Sequence, residues 1–82
     1  MSETLTQLRR RYSANYITVD TLLADHLPHI GSIGLLRRKI REQKIGITIQ
    51  QLDPSSRRSP WVVYLHNLAD WLDRQEAAAK AA

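Results

Sequence analysis

Apolar residues in the first half of the chain recur every three or four positions, which is the spacing of an amphipathic helix. This pattern predicts three helices, over residues 4–12, 18–27 and 32–43. Thr18 and Ser32 are suited to cap the second and third helices, because their hydroxyl groups can accept hydrogen bonds from unpaired N–H groups of the first turn. The residues between the first two helices are expected to form a short extended link.

The chain after the third helix has a different pattern. Isoleucine alternates with other residues over 45–50, which is typical of a strand with one buried face. Gly46 is expected to end the third helix. A polar loop over 53–60 leads to a second strand over 61–64, where aromatic and β-branched residues favour extended backbone. The two strands and their loop form a predicted β-hairpin.

The chain closes with a predicted helix that begins near Leu65 or His66. Its inner face carries Leu65, Leu68, Ala69 and Leu72. Residues 77–82 favour a helix but have little to bury, so this end is expected to fray. The predicted fold class is mainly α with a small β-hairpin. The order of helix, helix-turn-helix, two-stranded wing and closing helix predicts one winged helix-turn-helix domain over 1–82.

The balance of charge favours an anionic partner. The chain has 82 residues, with 12 lysines and arginines against 8 acidic residues and a net charge of +4. The basic residues cluster at 9–11, 37–44 and 57–58, and a small basic domain favours nucleic acid first and an anionic membrane second. The absence of cysteine excludes disulfides and thiolate metal sites and fits the cytoplasm. No apolar run reaches the roughly 20 residues of a membrane span.

The helix over 32–43 carries the strongest functional signal. At 100° per residue, its apolar residues fall on one stripe, and a set of arginines with one glycine falls beside them. The stripe is formed by Ile33, Leu36 and Ile40, and the second set by Gly34, Arg37, Arg38 and Arg41. A helix that reads DNA needs these features. It needs an apolar side that packs on the core, arginines whose paired N–H donors bind phosphate and guanine, and a small residue where the helix backbone comes close to the DNA.

The residues of this helix have separate expected roles. The candidates for contacts with base edges or phosphates are Arg37, Arg38 and Arg41. Lys44 is a candidate for a phosphate contact. Ser32 and the free N–H groups of the first turn can hold a phosphate, although capping alone also explains Ser32. The alternative is a solvated surface helix in which Arg38 pairs with Glu42, but one acid cannot neutralise five basic residues.

Two further basic clusters and one tryptophan have less specific patterns. Arg57 and Arg58 lie on the loop that a winged fold directs to the minor groove or the DNA backbone. The alternative is a hairpin tip that only improves solubility. The cluster over 9–11 is equally consistent with DNA contact and with solvent exposure. Trp71 lies about 100° from the apolar stripe of the last helix. It is either a lid over the first helix, which we favour, or an exposed anchor for a second subunit.

No residue pattern indicates catalysis or a cofactor. His26 and His29 are separated by Pro28, and no third metal ligand completes a site. The segment over 31–34 lacks both the spacing of a nucleophile elbow and the Gly-Lys-Ser/Thr of a phosphate-binding loop. The chain is therefore not expected to be an enzyme, to bind a metal or to carry a cofactor.

Several segments resemble the pyocin activator family, the PrtN-like regulators of phage-derived bacteriocin genes. They are Asp25-His26, Leu35-Leu36-Arg37-Arg38-Lys39-Ile40, the strand over 45–49, the Ser-Ser-Arg-Arg loop at 55–58, and residues 68–75 followed by alanines. The similarity covers about residues 12–79, and the architecture is similar to excisionase and MerR-type winged helices. The resemblance implies a bacterial or prophage protein of the nucleoid that binds a promoter, activates transcription and needs no cofactor.

The leading hypothesis is a sequence-specific transcriptional regulator that binds double-stranded DNA. One recognition helix with a wing reads few base pairs, so a homodimer or a cooperative multimer is expected, with RNA polymerase as a further candidate partner. Two alternatives stay open. One is an excisionase-like architectural protein that bends DNA. The other is a phage-encoded inhibitor or anti-repressor that binds protein through the acidic and aromatic surface around Trp71.

Overall fold

The described part of the chain, residues 3–81 of a computed structural model, contains four α-helices and a three-stranded antiparallel sheet. In chain order the elements are α1 (Glu3–Arg11), β1 (Tyr16–Thr18), α2 (Val19–Asp25), α3 (Ile33–Arg41), β2 (Gln50–Gln51), β3 (Trp61–Tyr64) and α4 (Leu65–Ala81). The predicted helices and the strand over 61–64 are confirmed. The expected fold class is corrected in one respect, because the fold is mixed α and β and its sheet has a third strand.

The extra strand, β1, lies where the sequence pattern predicts only an extended link. The strand order is β1-β3-β2, with Tyr16 paired to Tyr64 and Ile17 paired to Val63. β3 is therefore central and hydrogen-bonded on both edges, and Val63 is fully buried. A strand of three residues is too short to show a period, and its partner lies far along the chain, so local sequence gives no signal for it.

β2 is shorter than predicted. The strand expected over 45–50 pairs with β3 only at Gln50–Gln51. If the same register continued, Ile47 would face Leu65, but Leu65 is already the first residue of α4, so the partner strand has ended. Burial still alternates along this segment although its backbone is not paired with β3. Ile47 is buried, and the isoleucines on either side of it pack partly against the core.

α3 ends through a left-handed residue that the sequence pattern does not predict. Gln43 has a φ of 60°, the only positive φ in residues 3–81. Its N–H donates to the carbonyl of Ile40 at 3.0 Å, and the N–H of Lys44 donates to the carbonyl of Lys39 at 2.9 Å. These two bonds form a Schellman motif. The helix therefore ends before Gly46, and the expectation that Gly46 ends it is wrong.

The core is formed by apolar side chains from every helix and from the sheet. Its buried members are Leu8, Ile17, Val19, Leu22, Leu23, Leu27, Ile30, Leu36, Ile47, Val63, Leu65, Leu68, Ala69 and Trp71. Trp71 is only 8% exposed, so the alternative of an exposed anchor for a second subunit is wrong. Its indole N–H has no hydrogen-bond partner among the described residues.

α4 continues beyond its last buried residue. The hydroxyl of Thr4 donates to the carboxylate of Asp73 and so joins α1 to the middle of α4. Residues 77–81, where fraying is expected, are helical, and Lys80 Nζ lies 2.9 Å from Glu76 Oε1. Ala82, like residues 1 and 2, lies outside the described residues.

Candidate nucleic-acid interface

The two sides of α3 differ as the sequence pattern predicts. Leu36 is fully buried, and Ile33 and Ile40 pack partly against the core. The side next to this stripe carries the candidate residues Gly34, Arg37, Arg38 and Arg41, all exposed. Ser32 is exposed, and its Oγ accepts a hydrogen bond from the N–H of Leu35 at 3.1 Å, which confirms the predicted cap. Burial of the apolar stripe therefore holds the basic side in solvent.

Most of the positive charge on this side of α3 is not neutralised within the fold. Arg38 Nε lies 3.5 Å from Glu42 Oε1, as the spacing predicts, and Lys44 Nζ lies 3.8 Å from the same oxygen. Both basic side chains remain more than half exposed, and surface pairs of this kind contribute little. Arg37 and Arg41 have no acidic partner within residues 3–81. The exposed side of α3 therefore stays strongly basic.

Arg37 makes a contact that the sequence pattern does not reveal. The central carbon of its guanidinium lies 4.5 Å from the ring centroid of Trp61, the first residue of β3. Trp61 is partly buried against the core. Both side chains, with Ile40, Arg41 and Ile49, line a shallow cavity of about 210 Å³. The basic side of α3 and the base of the β2–β3 hairpin are thus parts of one continuous surface.

The loop between β2 and β3 is held by its own hydrogen bonds. The carboxylate of Asp53 accepts from the N–H of Ser55 at 3.0 Å and from its hydroxyl at 2.6 Å. These bonds lower the pKa of Asp53. The N–H of Asp53 donates to the hydroxyl of Ser59 at 2.9 Å. Arg57 and Arg58 lie exposed on this ordered loop, at the far end of the hairpin that contacts α3 through its base.

Two residues at the start of α3 concern its first turn, namely Leu35, which is new to the candidate set, and Gly34, which was predicted. Leu35 is 39% exposed and lies next to the basic residues of the helix. Among residues 3–81, a methyl group added at Gly34 would meet only the Oγ of Ser32, at 4.0 Å, so packing against the described residues does not require glycine there. The signal for Leu35 was present in the sequence, because it lies off the buried stripe of the helix.

Arg11, in the basic cluster over 9–11, is tied to α2. Arg11 lies 3.3 Å from the carboxylate of Asp25, which also accepts a 2.7 Å hydrogen bond from the hydroxyl of Tyr12. Burial, followed by this hydrogen bond, raises the pKa of Tyr12 to about 12. His26 Nε2 lies 3.2 Å from the same hydroxyl, and burial lowers the pKa of its imidazole. These residues connect α1 to the end of α2.

Two kinds of site are absent from the described residues, namely metal-binding clusters and membrane-spanning helices. Residues 3–81 hold no group of three or more histidines, cysteines or acids placed to bind a metal. None of their helices is both long and apolar enough to cross a bilayer.

Comparison with known proteins supports a regulatory role. The family model of the pyocin activator protein PrtN matches residues 4–79, which confirms the resemblance noted from the sequence. The match includes α3, the β2–β3 hairpin and every candidate residue on them. Searches of curated proteins and of solved structures found no significant match.

Proposed function

Because the chain belongs to the pyocin activator family, a family of regulators of pyocin genes, we propose that it binds double-stranded DNA and activates transcription of such genes. The observation that carries the proposal is the basic side of α3. Its arginines are exposed and largely unpaired, while the apolar stripe on its other side is buried. A helix held in this way can enter the major groove of DNA.

The order of elements supports a winged helix-turn-helix arrangement. α2, a turn and α3 are followed by the β2–β3 hairpin and then by α4. In the proposed complex α3 is the recognition helix and the loop over 53–60 is the wing. Arg57 and Arg58 on this loop contact the DNA backbone or the adjacent minor groove, where arginine is favoured by the negative potential.

Within α3 the proposed contacts follow from position and exposure. The residues proposed to contact base edges or phosphates are Arg37, Arg38 and Arg41. Lys44, after the helix, contacts a phosphate, and the helix N-terminus at Ser32 receives another. Gly34 allows the DNA to approach the first turn closely. Leu35 offers an apolar surface that suits the methyl group of thymine.

A single copy would bind weakly and with low selectivity, because one recognition helix and one wing read few base pairs. We therefore propose that two or more copies bind one promoter, as a homodimer or cooperatively. Contact with RNA polymerase is the simplest route from promoter binding to activation. The alternative of a protein-binding module that uses an aromatic surface at Trp71 loses its main feature, because Trp71 is buried.

The test begins with selection of duplexes from fragmented bacterial and prophage DNA, followed by footprinting at two salt concentrations. Arg37→Ala and Arg41→Ala are each expected to weaken binding to the selected duplex by about 1–3 kcal/mol if the arginine reads a base. Removal of an arginine that binds a phosphate lowers the salt slope by about one unit. Lys80→Ala is the matched control, since it removes one positive charge from the end of α4 and is expected to leave binding unchanged.

Three results separate the hypotheses. A short footprint without bending supports a sequence-specific regulator. A long footprint with strong bending in a circular-permutation gel shift supports an excisionase-like architectural protein. If the parent protein binds no duplex even at low salt, the DNA-binding proposal is wrong.

A further inference from the structure

The contact between Arg37 and Trp61 joins two elements that lie apart in the chain. The guanidinium lies over the indole ring, with its central carbon 4.5 Å from the ring centroid. This distance is within the range of a favourable cation–π contact, and tryptophan is the best ring for it. An exposed arginine is otherwise free to populate many rotamers, so this contact restricts where its donors point.

The indole is itself held in place by the sheet. Trp61 begins β3, its backbone is in register with Gln51 of β2, and its side chain packs partly against the core. The position of the indole ring that Arg37 contacts is therefore fixed by the hairpin and not by α3. The orientation of the guanidinium depends on how the hairpin and the helix pack together.

Arg37 remains exposed in spite of this contact, so its guanidinium donors can still reach a ligand. The N–H donors of arginine lie in the plane of the group, and Arg37 has no acidic partner within residues 3–81. Two parallel donors at a fixed angle match the O6 and N7 acceptors of guanine in the major groove. A lysine would not provide this pair of parallel donors.

We propose that Trp61 is a positioning residue, which holds Arg37 oriented for a bidentate contact with one guanine. This inference rests on the proposed function, because it assumes that α3 enters the major groove. It assigns to the hairpin a second role besides the wing contact. The hairpin sets the base preference of a residue on the neighbouring helix.

A double-mutant cycle tests the inference. The parent, Arg37→Ala, Trp61→Leu and the double variant are titrated by fluorescence anisotropy against the duplex recovered by selection and against duplexes with each base pair replaced. Trp61→Leu is expected to weaken binding about tenfold when Arg37 is present and to have no further effect in the Arg37→Ala background. Both single variants are expected to lose preference at the same guanine. Trp61→Phe is expected to retain part of the preference, because phenylalanine is a weaker platform.

Thermal unfolding of each variant separates positioning from loss of structure. If Trp61→Leu does not fold, Trp61→Phe and its Arg37→Ala double variant complete the same cycle. The inference would be overturned if the losses of binding free energy in the two single variants add up to the loss in the double variant. An unchanged base preference in the tryptophan variants would also overturn it. A uniform loss on all duplexes with a lower salt slope would assign Arg37 to a phosphate and overturn the guanine contact. If the parent binds no duplex, the proposed function itself fails, which is a distinct result.

Discussion

Replacing Gly34 by alanine is expected to change fold stability and DNA affinity in opposite directions. Gly34 lies in the first turn of α3, and within residues 3–81 the nearest atom to an added methyl, outside the backbone of the helix itself, is the Oγ of Ser32, at 4.0 Å. The fold can therefore accept the methyl without strain. Alanine favours the helix over glycine by about 0.5–1 kcal/mol. For a domain of this size, such a gain raises Tm by about 2–8 °C.

DNA binding is expected to weaken in the same variant. If the first turn of α3 approaches the DNA closely, the methyl separates the two surfaces and loosens at least one base contact. One good contact of this kind contributes about 1–3 kcal/mol, so affinity should fall by about fivefold to 150-fold. Gly34→Ala and the parent are compared by thermal unfolding and by fluorescence anisotropy on the selected duplex at one salt concentration.

The control adds the same methyl group elsewhere. At Gly46 an added Cβ would lie 3.5 Å from the guanidinium of Arg74, an ordinary contact on the side of α4. Gly46→Ala is expected to leave DNA affinity unchanged. A Gly34→Ala protein that is more stable and still binds the duplex as tightly as the parent would refute the close approach of DNA to this turn.

Three further predictions concern stability and are measured by urea unfolding. Gln43→Gly is expected to stabilise the fold by about 1 kcal/mol, because glycine adopts the positive φ at the end of α3 without strain; an unchanged midpoint would contradict this. Tyr12→Phe is expected to cost about 1 kcal/mol at pH 7, because the variant cannot donate a hydrogen bond to Asp25. The raised pKa of Tyr12 makes this stabilisation complete below pH 10 and lost as pH rises towards 12. The difference in free energy of unfolding between the parent and Tyr12→Phe should therefore disappear over that pH range. A constant difference would argue against the hydrogen bond to Asp25. Trp71→Phe is expected to lower the free energy of unfolding by less than about 1.5 kcal/mol, because it also removes a buried N–H that has no partner in the described residues. Trp71→Ala is expected to lower it by about 3–5 kcal/mol. Equal losses in the two variants would contradict this account.

Local sequence determined the helices and the sides that they bury. The apolar stripe of α3 and its cap at Ser32 are both found as predicted, because helix period and capping depend on residues only three or four positions apart. The exposed basic side follows directly, since burying Leu36 leaves the arginines in solvent. Family membership was also readable from short segments spread along the chain, and the match over residues 4–79 confirms it.

Tertiary structure alone decided how the strands pair and what Arg37 contacts. β1 exists because β3 offers it an edge, and β2 stops because β3 turns into α4. The contact of Arg37 with the ring of Trp61 joins residues with no shared local pattern. Strand pairing and side-chain contacts between elements depend on partners that are distant in the chain. The local pattern of apolar and polar residues therefore does not predict them.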